Sequence, residues 1–151
     1  MMTIASTTDA NLCALPLMCV CLLGDMDNPA RPRPEPLSLS QKHRRQKGDL
    51  VLREVMNWVE SKRKPSREEL RGRPADLHAY RNIFELLVMK NGVLYRKPLE
   101  GGAEHHDKLR WCVPLSSVTD ALLVAHVEEG AHMAAESTLN RAVQLTWWPT
   151  Q

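Results

Sequence analysis

Apolar positions fall into two regimes along the chain. The first 48 residues carry no periodic apolar pattern and half of the ten prolines, whereas from Asp49 onward apolar residues recur at helical spacing between turn signals. Leu52, Val55, Met56 and Val59 sit at i, i+3, i+4 and i+7 behind Asp49, a good N-cap, and Pro65 closes the run. The spacing predicts an amphipathic helix of three turns. Ser66 and Glu69 have capping-box spacing ahead of a short helical turn that Gly72 and Pro74 stop. Leu77, Tyr80, Phe84, Leu87 and Val88 then form a second apolar stripe, predicting a helix that packs on the first.

Asn91-Gly92 separates Leu87-Val88-Met89 from Val93-Leu94-Tyr95, and both turn residues tolerate positive φ, so a hairpin is expected there. A polar stretch with Gly101-Gly102 leads to Leu109–Val113, a β-prone run ended by Pro114 and suited to pair with Val93–Tyr95 in a sheet of two or three short strands. Ser117 and Asp120 offer a capping pair for a helix whose buried stripe is Val118, Leu122 and Ala125 and which reaches His126 or Val127. A last helix is expected from about Ala135 to Leu145, with bulky Trp147-Trp148 after it.

The fold class predicted is mainly α: a small helical domain preceded by a helical pair and a short hairpin, with a disordered N-terminus. Residues 1–48 are expected to be a disordered head with a Pro-rich and basic linker, 49–98 a helical segment with the hairpin, and 109–151 a second small unit. Four prolines between Pro29 and Pro36 favour an extended linker. The basic run Lys42-His43-Arg44-Arg45-Gln46-Lys47 reads either as a solvated linker or as a nuclear-import or phosphate-contacting arm.

Composition adds mostly exclusions. With 20 basic and 18 acidic residues, the formal charge of +2 is too small for a long-range field toward nucleic acid or an anionic membrane. Leu12–Leu23 is apolar, yet no Lys or Arg precedes it, Pro16 interrupts it, and it is too short to span a bilayer, so no membrane partner and a nuclear or cytoplasmic location are expected. Cys13, Cys19, Cys21 and Cys112 include no Cys-x2-Cys pair and imply no disulfide framework. Cys19 and Cys21 are poorly spaced for a closed metal site, and His105-His106 reads as solvated loop. Trp58, Trp111, Trp147 and Trp148 fit core packing better than base stacking.

The candidate chemistry lies in His126, Gly130 and His132. On one continuous helix, six steps of about 100° set the two imidazoles on different faces, roughly 240° apart, too far to share a metal. Gly130 permits a break that folds the chain back and lets both rings face one ion. The bland alternative is a partly buried His126 and a loop His132, neither ever metallated.

Taken in order, Val113-Pro114, Leu122-Leu123, His126, Gly130, His132-Met133-Ala134, Thr138-Leu139-Asn140-Arg141 and Trp148-Pro149 resemble the N-terminal zinc-binding domain of gypsy-type retrotransposon integrases. Val55–Val59, Pro65–Glu69 and Gly92–Arg96 are similar to the linker preceding that domain in gypsy-like polyproteins, so the resemblance covers residues 49–151. It implies zinc as cofactor, with His126 and His132 as ligands, and a role accessory to DNA integration. It also implies DNA or an integrase-like protein as partner and self-association, and a nucleic-acid face there would need Arg141 with Lys108 or Arg110. Integrase catalysis needs a separate domain with three metal-binding carboxylates, so this chain is expected not to be an enzyme. Two departures stand out: Ala134 replaces the family's usual glycine, and the family's Cys-x2-Cys ligand pair would lie beyond Gln151. A second function class follows from that gap, a relic or domesticated helical interaction fragment without metal.

Overall fold

The structure, a computed structural model, describes residues 35–99, 108–127 and 135–149. The apolar head, most of the proline segment, Cys13, Cys19, Cys21, His105-His106, Gly130 and His132 lie outside the described residues.

The first helix falls where a linker was expected. Ser38 starts α1 (Leu39–Gly48) with a complete capping box: its hydroxyl accepts from Gln41 N at 3.3 Å, and its own N–H donates to Gln41 Oε1 at 2.8 Å. The expectation of linker through residue 48 is therefore corrected for residues 39–48. Asp49 then caps α2 (Leu50–Glu60), its Oδ1 accepting from Leu52 N at 3.0 Å, and Leu52, Val55 and Met56 are buried as the spacing requires. Ser66 and Glu69 form their reciprocal cap ahead of the turn, with Arg63 paired to the Glu69 carboxylate. These contacts, led by the Ser66 N–H, lower the Glu69 pKa.

The second predicted helix is shorter than its apolar stripe. Helix α3 (Ala75–Asn82) buries Leu77 and Tyr80, a 3-10 turn covers Phe84–Leu86, and Leu87 and Val88 enter strand β1 (Leu87–Lys90). The reason is the hairpin: β1 pairs antiparallel with β2 (Val93–Arg96), Leu87 opposite Arg96 and Lys90 opposite Val93. Asn91 and Gly92 take φ of +52° and +75° in the turn. A Cβ on Gly92 would also lie 3.1 Å from His43 Nδ1, the atom that hydrogen-bonds the Gly92 carbonyl at 2.5 Å. Gly92→Ala is expected to cost about 1–2 kcal/mol through left-handed backbone strain. Thermal denaturation checks this, and an unchanged melting temperature would refute the account.

Strand β3 (Arg110–Cys112) runs antiparallel to β2, with Tyr95 opposite Trp111 and Arg96 opposite Arg110. After a 3-10 turn at Leu115–Ser117 come α4 (Val118–Val127) and α5 (Ala135–Leu145), and the chain returns to the sheet as β4 (Thr146–Trp147), parallel to β3. Among the described residues the sheet thus has four strands in the order β1-β2-β3-β4, not two or three. The mainly-α expectation is corrected to a mixed α/β fold. The physical reason is that a two-residue parallel strand has no room for an alternating pattern, and its pairing is decided by the helices that carry the chain back.

Alternation across the strands sorts the core into two faces. Leu87, Leu94 and Cys112 pack with Leu52, Val55, Met56, Leu77 and Tyr80 on the α2–α3 side. Val93, Trp111, Val113 and Trp148 pack with Val118 and Ala121 of α4 on the other. Trp147 joins the first face and Trp148, only 2% exposed, the second. Residues 49–98 and 109–149 therefore contribute strands to one sheet, and the division expected between them does not separate two cores.

Helix α1 ties these layers together. Gln46, fully buried, inserts its amide where β2 and β3 part: Nε2 donates to Leu94 O at 2.9 Å and Cys112 O at 2.8 Å, and Oε1 accepts from Leu94 N at 2.8 Å. The side chain does there what a peptide unit of a neighbouring strand would do. Arg45 reaches α4, donating to Ser117 Oγ at 3.1 Å and Asp120 Oδ2 at 2.5 Å. Lys42 lies over the Trp111 ring at 5.4 Å. With His43 on the Gly92 carbonyl, four residues of the basic run thus make structural contacts.

Candidate metal-ligand helix pair

His126 stands in the last turn of α4, 8% exposed, and its Nδ1 lies 2.9 Å from the Oγ1 of Thr138, itself fully buried on α5. Twelve residues along one helix would separate these side chains by about 18 Å. The hydrogen bond therefore sets α4 and α5 side by side as two helices, not as one continuous helix. The sequence favours this pairing from both ends, since apolar Val118–Ala125 must bury against something and Thr138 and Ala142 give α5 a small-residue face able to approach closely.

The contact also sorts the two ring nitrogens. When Nδ1 carries the proton it donates to the Thr138 hydroxyl and leaves Nε2 with the lone pair a metal ion takes; in the other tautomer the hydroxyl donates to Nδ1 and Nε2 is protonated. Ligating histidines commonly have their second nitrogen held in this way. Thr138, within the Thr138–Arg141 motif, is not a metal-ligand type and so carries no ligand signal in the sequence. Its signal as a partner is its type: a hydroxyl inside a helix can serve a partner on another helix.

The described residues hold no group of three or more His, Cys, Asp or Glu side chains able to take a metal ion. His132 lies outside them. Cys112 is fully buried on the α2–α3 face of the sheet, away from the face that α4 covers, and burial pushes its thiol pKa far up, with Arg96 opposing only in part. It is held as a neutral thiol in a core.

Arg110 and Arg141 are not set on a common face. Arg110 shares its sheet face with Arg96 and Cys112, while Arg141 rides on α5, which packs over the opposite face beside α4. The alternating direction of strand side chains decides this, and helix spacing alone could not reveal it.

No protein-family model, curated protein or solved structure matches the chain. No described helix is long and apolar enough to cross a membrane.

Proposed function

We propose that this chain is a retrotransposon-derived, integrase zinc-binding-like module, accessory to DNA integration through metal-stabilised protein or DNA contacts and not catalytic alone. The observation that carries the reading is the His126–Thr138 contact. It supports two separate helices packed side by side, which the ligand geometry needs, and a hydroxyl partner that orients one imidazole for metal. His126 and His132 are the proposed ligands, zinc the cofactor, DNA or an integrase-like protein the partner, and the nucleus or cytoplasm the location. Two imidazoles supply half of a tetrahedral shell, so binding by these residues alone is expected to be loose.

A second reading is favoured by the two apolar cores, which close around the sheet with side chains of the protein itself. In it the chain is a helical interaction fragment that folds without metal, and His126 is a buried histidine satisfied by Thr138.

Zinc calorimetry on the full chain, with circular dichroism before and after chelation, separates the two. The metal reading expects one zinc per chain, loss of binding in His126→Ala, and affinity about 10- to 100-fold weaker in Thr138→Val, the usual effect of removing a ligand's outer partner. Absence of zinc uptake together with spectra indifferent to zinc and chelator would establish the second reading instead.

A further inference from the structure

Arg96 closes β2, Arg110 opens β3, and the antiparallel register sets them directly opposite one another on the face that carries Leu94 and Cys112. Like charges directly opposed across two strands destabilise a sheet unless something of opposite sign joins them. Among the described residues nothing does. Neither guanidinium takes part in any of the ion pairs, which join Arg45 to Asp120, Arg63 to Glu69, Lys64 to Glu85 and Arg73 to Glu54. The Nε of each arginine is buried with no acceptor.

Arg96 is also held in place. Its guanidinium lies 5.6 Å from the centre of the Trp147 ring, and Trp147 is wedged edge-to-face against buried Tyr80 at 5.0 Å. Burial, and after it the charge of Arg110, lowers the Arg96 pKa, so the strain falls on a group that stays cationic. Both arginine side chains are half-buried, leaving the pair open on one side.

Two opposed guanidinium forks, one of them held against Trp147, with no compensating charge among the described residues, match an anion with several oxygens and more than one negative charge. A carboxylate offers one charge and two oxygens, whereas a phosphate can meet both forks at once. We propose that Arg96 and Arg110 form a phosphate-binding site, the oxyanion lying between the two guanidinium groups. A free phosphate and a phosphomonoester carry both properties in one group; in a nucleic-acid backbone each diester carries one charge, and a neighbouring phosphate would supply the second. The site lies across the sheet from His126 and does not depend on zinc.

The test is nuclear magnetic resonance of the arginine Nε–Hε groups in the full chain, titrated with inorganic phosphate in a phosphate-free, chelator-containing buffer of matched ionic strength. Saturable shifts confined to Arg96, Arg110 and the Trp147 indole are expected. Arg110→Gln and Arg96→Gln should weaken binding about tenfold or more, and Arg110→Lys, which keeps the charge and loses the fork, should weaken it as well. Without phosphate, Arg110→Gln should melt above the wild type because the repulsion is gone; phosphate should raise the melting temperature of the wild type alone.

A short single-stranded oligonucleotide that binds more tightly per phosphate than a nucleoside monophosphate, with a salt dependence reduced in Arg110→Gln, would make the backbone the source. Equal affinity per phosphate would make it a free phosphate compound. Uniform, unsaturable shifts across all arginines would overturn the proposal. So would movement of the Arg96 and Arg110 resonances in phosphate-free buffer on neutralising Glu100, Glu104 and Asp107, since the chain's own carboxylates would then already fill the site.

Discussion

Gln46→Leu is expected to lower the stability of the protein by about 3–5 kcal/mol, because it strands one N–H and two carbonyls in the interior and each unsatisfied buried group costs roughly 1–3 kcal/mol. Those groups are Leu94 N, Leu94 O and Cys112 O, all now met by one amide. Leucine is of similar size and brings apolar surface, so the loss isolates the hydrogen bonds rather than a cavity. Against a total of about 5–15 kcal/mol for a domain, a change of this size leaves much of the protein unfolded at ambient temperature. Gln46→Glu sharpens the test: it preserves shape but sets a carboxylate against two carbonyls, and is expected to be at least as damaging near neutral pH. Urea denaturation followed by circular dichroism measures both. A loss below about 1 kcal/mol for Gln46→Leu would mean that α1 is not anchored through this amide.

Stability should also fall steeply in alkali. Burial raises the pKa of the Cys112 thiol, and burial likewise raises that of the Tyr80 phenol, with the Cys112, Asp49 and Asp76 charges adding to it. Above the unfolded-state values, about 8.5 for cysteine and 10 for tyrosine, the unfolded chain gives up protons that the folded chain keeps. The unfolded state then binds fewer protons, so the slope of stability with pH is negative, up to about 1.4 kcal/mol per pH unit for each group. Between pH 8.5 and 10.5 the two together should remove about 3 kcal/mol. Cys112→Ala should cost stability at neutral pH by opening space in the core, yet flatten the decline that begins near pH 8.5. Urea midpoints over a pH series check this. A profile flat to pH 10.5 would show that the thiol and phenol reach solvent in the native state.

The two predictions share a cause, the packing of the α2–α3 face. Cys112 meets Gln46 through its carbonyl and Tyr80 through the common core, so loosening either end exposes the other. Sites this close are expected to couple, and a double variant at Gln46 and Cys112 should lose less than the sum of the singles.

Much of the local structure was legible in the sequence because its causes are local. Asp49 caps its helix, Ser66 and Glu69 cap each other, Asn91-Gly92 turns the hairpin, and the final helix runs from Ala135 to Leu145 as its spacing requires. Helix α1 was also written locally, in the Ser38–Gln41 capping box, although its run of basic residues has the composition of a solvated arm. Of the candidate site, His126 was legible by type and position. Its partner was not, because a hydrogen bond between residues 126 and 138 depends on how two helices meet.

The sequence alone determined where helices start and stop, which turn takes positive φ, and which residues are apolar enough to be buried, since caps, turns and spacing act within a few residues. The tertiary structure decided the rest. It paired Thr146–Trp147 with β3, buried a glutamine from a basic run between two strands, set Arg96 against Arg110, and brought Thr138 to His126. Each of these joins groups far apart along the chain, and register, burial and electrostatic opposition come into being only when the layers close on one another.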